Sequence, residues 1–221
     1  MNPESRIGLM IPSSNCLAEA QFHRYAPAGV DVQVTRLRMT GKWHRSFEES
    51  ADRIAEAAAA LSDTNPGVIV FNCTANSMEG GLKGETQVRE VVQRASGCPA
   101  ITTAQAISEA LRVLGVKKLV LISPYIAATN RKEIQFLSDA GFEVIHDLGL
   151  GLGGGADYIN VTPARWREIT LKNGRAETDG YLLSCTNTTM IEVIDELERD
   201  LKKPVVTSNQ AALWASLKRL K

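Results

Sequence analysis

The feature that most constrains the fold of this chain is an internal repeat. The segment IGLMIP, which begins at Ile7, matches LVLISP, which begins at Leu119, 112 residues later. The same interval separates Cys73 from Cys185, and CPAITTAQ matches KPVVTSNQ further along at an interval of 105. Three matches in one order at nearly one interval indicate an internal duplication. The sequence therefore predicts two related halves that face each other across a pseudo-twofold axis.

Within each half, strand-like runs alternate with helix-like segments. Val68–Phe71 is a bare apolar run typical of a strand buried on both faces, and Ser46–Leu61 opens with a capping-box pattern. Such alternation favours βαβ crossovers and parallel sheets covered by helices. We predict an α/β protein with two pseudo-symmetric Rossmann-like (flavodoxin-like) parallel-sheet domains facing each other across an active-site cleft. The first half would span 1–115 and be completed by 205–221, and the second would span 116–204.

Charge and hydropathy exclude several classes of protein. Acidic and basic residues number 25 each, and no Lys/Arg-rich run occurs, which argues against nucleic acid or an anionic membrane as a partner. No window approaches the roughly 18 apolar residues of a membrane span, and the first apolar run is too short for a secretory signal. We expect a cytoplasmic protein with reduced thiols. The scattered cysteines and histidines predict no metal site.

Cys73 and Cys185 stand at matching places, each after a buried-looking strand and before small polar residues (VIVFNCTANS and YLLSCTNTT). The carboxyl ends of parallel strands line the ligand crevice, so the two thiols should lie on opposite walls of one cleft. Amide N–H groups and a helix dipole at these ends are expected to lower each thiol pKa. A single cysteine in a strand is more often a small core residue, which is our interpretation of Cys16 and Cys98. Two at matching strand ends favour catalysis.

A thiolate and a thiol on opposite faces of a substrate allow two kinds of chemistry. One sulfur can remove a proton from one face while the other delivers a proton to the opposite face. Alternatively, one sulfur can add to an activated double bond, which then rotates before the sulfur is eliminated. The residues alone leave both reactions open.

The two motifs CTAN and CTNT, each after a buried strand in one of two repeated halves, resemble the aspartate/glutamate racemase superfamily. Within it, IGLMIPSSN, TRLRMT, ISPY and SCTN resemble the maleate cis-trans isomerase branch, which lies close to arylmalonate decarboxylase. The resemblance covers nearly the whole chain. It implies a cofactor-independent enzyme that acts on a small carboxylate through an enediolate-like intermediate. We further expect a homo-oligomer, either a dimer or a dimer of dimers.

The resemblance also implies a role for individual residues. Cys73 would be the nucleophile that adds to the maleate double bond, and Cys185 would be its acid/base partner. Five further residues would hold the substrate carboxylates or the enediolate: Asn15, Thr74, Tyr125, Asn160 and Thr186. Simpler interpretations remain for three of them, because Asn15 and Asn160 could cap neighbouring helices and Tyr125 could be a packed aromatic.

Our leading hypothesis is therefore isomerisation of maleate to fumarate. The first alternative is a racemase of an amino acid or hydantoin that uses two-thiol 1,1-proton transfer. An arylmalonate-type decarboxylase is less favoured. The resemblance implies that such an enzyme has no cysteine at the position of Cys73, whereas this chain has a cysteine at both positions. A non-catalytic carboxylate-binding protein is less favoured too, since binding alone does not need thiols.

Overall fold

The computed structural model describes residues 5–220 and contains two four-stranded parallel sheets. The first sheet has the order β2-β1-β3-β4 and the second the order β6-β5-β7-β8. The strands of the first sheet are β1 (Arg6–Pro12), β2 (Asp31–Leu37), β3 (Val68–Phe71) and β4 (Ala100–Thr102). Those of the second are β5 (Lys118–Ser123), β6 (Glu143–Gly149), β7 (Gly180–Leu183) and β8 (Val205–Thr207). The shared strand order confirms the predicted α/β class and the two pseudo-symmetric halves.

Helices connect the strands in both halves. The first five are α1 (Ala18–Tyr25), α2 (Phe47–Ser62), α3 (Thr74–Met78), α4 (Gly81–Ser96) and α5 (Thr103–Val113). The others are α6 (Ala127–Asp139), α7 (Ala156–Ile159), α8 (Pro163–Lys172), α9 (Ile194–Leu201) and α10 (Ser208–Arg219), with short 3₁₀ turns at Gly41–Trp43 and Met190–Val193. The predicted capping box forms, since Ser46 and Glu49 exchange hydrogen bonds at the start of α2. Within residues 5–220, none of these helices combines the length and apolarity of a membrane span.

The structure explains why the repeat interval changes along the chain. Strands β3 and β7 begin 112 residues apart, whereas β4 and β8 begin 105 residues apart. The first half places both α3 and α4 between its third and fourth strands, and the second half uses a 3₁₀ turn and the shorter α9. The duplication therefore preserves the strands and the cysteine turns and varies the connection that follows them.

The boundary between the halves differs from the expected one in the placement of β8. This strand pairs with β7 in the second sheet, although 205–221 was expected to complete the first half. The next helix, α10, packs chiefly against α5 of the first half. Because α5 and α10 are counterparts in the duplication, they meet where the two halves face each other, and the last helix therefore serves both.

One apolar core spans the two halves. Side chains from both sheets enter it, including Leu9, Leu121 and Leu182, and Leu213 of α10 joins them. Each side chain of this kind contributes roughly 1.5–3 kcal/mol on burial. Two further clusters cover the outer faces of the sheets. The halves are thus joined by close packing, which fixes the distance across the cleft between the strand ends.

Candidate active site

A cavity of about 470 Å³ lies where the carboxyl ends of the two sheets meet. Cys73 follows β3, Cys185 follows β7, and both line this cavity. Four of the five predicted substrate-binding residues line it as well: Asn15, Thr74, Tyr125 and Thr186. The structure therefore brings together residues from distant parts of the chain, as the duplicated strand ends predict.

Asn160 is the exception. It is exposed at the end of α7 and does not line the cavity. It does not cap α8 either, because the Thr162 hydroxyl accepts from Arg165 N–H at 3.2 Å there. Tyr158, one half-turn earlier, lines the cavity instead, with its ring centroid 5.9 Å from that of Tyr125. The single turn of α7 thus presents its tyrosine to the site and its asparagine to solvent.

The Cys73 thiol donates to a fixed acceptor. Its backbone has ordinary extended angles (φ −145°, ψ 107°), and the residue directly precedes α3. The sulfur lies 3.1 Å from Asn76 Oδ1, while Asn76 Nδ2 donates to the Met39 carbonyl at 3.2 Å. That second bond orients the amide so that its oxygen faces the sulfur. The proton of Cys73 is therefore held by a hydrogen bond.

The Cys185 sulfur is surrounded by donors instead. Asn187 N–H donates to it at 3.3 Å, and the Tyr125 hydroxyl faces it. The backbone of Cys185 has φ 146°, a region that favours glycine, and its N–H donates to Ser208 Oγ at 3.0 Å. A residue held at such an angle stores strain of roughly 1–3 kcal/mol, which the surrounding contacts must offset. The Cys185 thiol thus lines the cavity from a strained turn, whereas the Cys73 thiol lines it from a relaxed one.

The predicted lowering of the thiol pKa values is wrong. Burial raises the pKa of both Cys73 and Cys185 to about 12. The N–H groups of Asn76 and Asn187 act in the expected direction, but the loss of hydration outweighs them. Both thiols are therefore protonated at neutral pH, and one proton must leave before a sulfur can attack.

A hydrogen-bond chain connects the two cysteine turns. Thr74, directly after Cys73, donates from Oγ1 to Ser208 Oγ at 2.9 Å. The same Ser208 oxygen accepts the backbone N–H of Cys185. Because Ser208 is the first residue of α10, this helix fixes the turn of one half relative to the turn of the other.

Asn15 caps a helix and also supports the site. Its Oδ1 accepts from the N–H groups of Leu17 and Ala18 at 3.0 and 2.9 Å, at the start of α1. Its Nδ2 donates to the carbonyl and hydroxyl oxygens of Thr186 at 3.2 and 3.0 Å. The capping interpretation is therefore confirmed, and the same side chain positions the residue that follows Cys185.

The cavity walls combine apolar surface with polar groups that are mostly uncharged. Within the described chain, the lining includes neither Lys nor Arg, and eleven of its residues carry a hydroxyl or a side-chain amide group. Sequence reasoning missed His44, Tyr158 and Asn187 as lining residues. Asn187 could have been found, since it belongs to the CTNT motif, whereas His44 lies in a loop without periodicity. Among residues 5–220, no cluster of three His, Cys, Asp or Glu side chains is placed to hold a metal ion.

A neighbouring cavity of about 500 Å³ lies between the loop after β2 and helices α2 and α4. It contains neither Cys73 nor Cys185, although His44 and Asn76 belong to the walls of both cavities. The paired thiols therefore assign the chemistry to the cavity between the sheets.

Comparison with known sequences finds relatives that match nearly the whole chain. The family model described as arylmalonate decarboxylase matches residues 7–221. The maleate isomerase of Geobacillus stearothermophilus is 26% identical over 236 residues, covering 97% of this chain and 91% of that protein. The arylmalonate decarboxylase of Bordetella bronchiseptica is 25% identical over 214 residues, covering 96% of this chain and 89% of that protein.

Solved structures share the fold. One is a cysteine-to-serine variant of the Nocardia farcinica maleate cis-trans isomerase with a covalently bound succinylcysteine intermediate. It superposes with a TM-score of 0.87 at 20% identity, covering 97% of this chain and 92% of that chain. This likeness in fold extends over both sheets.

Proposed function

The chain belongs to the arylmalonate decarboxylase family, and from that premise we propose that it is a cofactor-independent two-cysteine isomerase that converts maleate to fumarate. The observation that supports this proposal most strongly is the pair of buried thiols in one cavity, Cys73 after the third strand of one sheet and Cys185 after the third strand of the other. Similar proteins named maleate isomerase, at 26% and 28% identity, agree with it.

The proposed reaction begins when the Cys73 thiol gives its proton to water and the resulting thiolate adds to C2 of maleate. The S–C2 bond forms, the C2–C3 π bond breaks, and its electrons move toward the far carboxylate as an enediolate-like species. Cys185 delivers a proton to C3, which leaves a single bond that rotates. Cys185 then removes a proton from C3, the S–C2 bond breaks, and the trans double bond forms. The released Cys73 thiolate regains its proton from water, so the reaction is redox-neutral and needs no reactant besides water as the proton carrier.

The polar groups in the cavity lining suit a dicarboxylate substrate. A dicarboxylate in this cavity would be held by hydroxyl and amide donors rather than by guanidinium groups. The Tyr125 hydroxyl stands beside Cys185, where charge develops as the proton moves. Asn15 and Thr74 act in the proposal as positioning residues, because their hydrogen bonds fix the two cysteine turns.

The location and assembly of the protein stay predictions. We propose the cytoplasm, because a reducing compartment keeps both catalytic thiols and the exposed Cys16 reduced. We also propose a homo-oligomer, as the family resemblance implies, and no nucleic-acid or membrane partner, as the balanced charge indicates. Analytical ultracentrifugation of the reduced protein measures the oligomeric state directly.

The direct test is incubation of the purified, reduced protein with maleate, followed by proton NMR. We expect the maleate signal to be replaced by that of fumarate. Cys98→Ser is the matched control, because Cys98 is half-buried and lies outside the cavity, and it should retain full activity. Absence of fumarate, with a folded protein and titratable thiols, would rule the proposal out.

The same samples distinguish the alternatives. A racemase would exchange a substrate Cα hydrogen for solvent deuterium without isomerising maleate, and this exchange appears in the NMR spectrum of an amino acid or hydantoin. A decarboxylase would release carbon dioxide from an arylmalonate. We expect neither signal at a rate comparable with that of maleate isomerisation.

A further inference from the structure

Glu133 is a buried carboxyl group that the proposed reaction does not use. It lies on α6 with 2% of its surface exposed. Its Oε1 accepts a hydrogen bond of 2.5 Å from Ser184 Oγ. Within residues 5–220, its Oε2 has no hydrogen-bond partner. A buried carboxylate oxygen without a donor is costly, so its presence calls for a physical explanation.

Its position connects it to one of the two thiols. Ser184 directly precedes Cys185, whose backbone angle is the strained one. A pocket of about 140 Å³ lies beside Glu133 and shares walls with the active-site cavity, among them Thr129. Through its hydrogen bond with Ser184, the carboxyl group is attached to the residue that directly precedes Cys185. Its negative charge raises the pKa of that thiol and of Tyr125.

The other charged groups near Glu133 are engaged elsewhere. Lys132, its neighbour on α6, pairs with Glu79 at 2.5 Å, and His44 lies 2.6 Å from the other oxygen of Glu79. In the second half, the groups whose pKa the Glu133 charge raises are the Cys185 thiol and the Tyr125 phenol. Burial raises the pKa of Glu133 to about 7, although the hydrogen bond from Ser184 acts in the opposite direction. Glu133 thus changes charge close to neutral pH.

We propose that Glu133 is a positioning residue for Cys185, which holds the strained turn through Ser184 and, when ionised, keeps the proton on the thiol. When Glu133 is neutral, Cys185 releases its proton more readily, and when Glu133 is charged the proton is retained. The carboxyl group thereby determines whether Cys185 is a thiol or a thiolate when it approaches the substrate carbon. This inference rests on the proposed acid/base role of Cys185, but the ionisation of the thiol is measured without substrate.

The test is the alkylation rate of Cys185 by iodoacetamide in Glu133→Gln and in the wild type, followed by peptide mass spectrometry. The amide keeps the shape of the side chain and an oxygen for Ser184 but carries no charge. At about pH 8.5 we expect roughly tenfold faster alkylation in the variant, which corresponds to about one unit in pKa. At about pH 5.5, where Glu133 is itself protonated, the two rates should converge. Cys73, measured in the same sample, should change less.

Glu85→Gln is the matched control. Glu85 is also buried, with 8% exposed, and it accepts from the Thr102 hydroxyl at 2.8 Å in the first half. This variant should leave the alkylation rate of Cys185 unchanged. Equal rates for Glu133→Gln and wild type at both pH values, or the same ratio at both, would overturn the proposal, whether or not the protein isomerises maleate.

A second measurement keeps the proposal testable if Glu133→Gln does not fold. Infrared titration of the wild type should show the band of one buried protonated carboxylic acid disappearing between about pH 6 and about pH 8. A spectrum without such a band at the lower pH, or with the band unchanged at the higher pH, would overturn the proposal.

Discussion

The two cysteine turns occupy equivalent places in duplicated sheets, yet they surround their sulfur atoms differently. Cys73 has relaxed backbone angles and donates its proton to the Asn76 side chain. Cys185 is strained at φ 146° and receives the Asn187 N–H at its sulfur. The duplication supplies two thiols, and the residues after each strand give them different tasks. A relaxed turn suits a nucleophile that must bond to carbon, and a donor-lined sulfur suits repeated proton transfer.

Replacing each cysteine by serine gives the largest effect and the sharpest test of this division of labour. Cys73→Ser and Cys185→Ser should each lower kcat/KM for maleate by at least roughly a thousandfold, because serine is a far weaker nucleophile and acid at neutral pH. Intact mass spectrometry should then separate them. Cys185→Ser should accumulate an adduct that is heavier by one maleic acid, and Cys73→Ser should not. An adduct in both variants, or in Cys73→Ser alone, contradicts the assigned roles.

The buried glutamate behind the second turn should make the stability of the protein depend on pH. The pKa of Glu133 is raised from 4.5 to about 7, so the native state binds this proton more tightly than the unfolded chain does. Stability is therefore lost as the pH rises from about 4.5 to about 7, by an amount on the order of 3 kcal/mol. Glu133→Gln should lack this contribution. Urea unfolding at about pH 5 and about pH 8 measures it, and an equal loss in both proteins would exclude Glu133 as its source.

Tyr125→Phe should affect one thiol and spare the other. The phenol favours ionisation of Cys185, so its removal should lower kcat by roughly tenfold to a hundredfold. Alkylation of Cys185 should slow in parallel, while that of Cys73 stays within about twofold of wild type. Equal slowing of both thiols would show that Tyr125 acts on the whole cavity rather than on the second turn.

Glycine and alanine substitutions give the smallest effect and test the backbone itself. At Cys185, where φ is 146°, glycine should be more stable than alanine by roughly 1 kcal/mol. At Cys73, where φ is −145°, the order should reverse, because glycine loses more conformational freedom there. Thermal unfolding of the four variants measures both differences. The same order at both positions would show that the second turn is not strained.

The ends of the two strands that precede the cysteines could be predicted to the residue, and the environment of the thiols could not. Val68–Phe71 and Gly180–Leu183 are unbroken apolar runs, and each is followed by a polar residue, so the local sequence alone indicates where they end. The meeting of Cys73 and Cys185 followed from the duplication and from the geometry of parallel sheets. Their raised pKa values did not follow, because burial depends on the packing of the other half.

The errors in the site have local causes. Asn160 directly follows α7, a single helical turn, and four residues are too few for a periodic pattern to show which side chains reach the cavity. His44 reaches the cavity from a loop of irregular structure and leaves no sequence pattern. Glu133 could not be singled out from the sequence, because its partner Ser184 lies 51 residues further along the chain and only the fold brings the two together.

The place of Ser208 in the chain has a consequence for how the protein is made. Ser208 joins Thr74 to the backbone of Cys185, yet the ribosome synthesises it after both cysteines. A nascent chain can form the first sheet while translation continues, since domains tend to fold from the amino terminus. Its Cys73 turn would still lack the partner that α10 supplies. Catalytic competence should therefore appear late and abruptly during synthesis, when this helix leaves the exit tunnel and docks against α5.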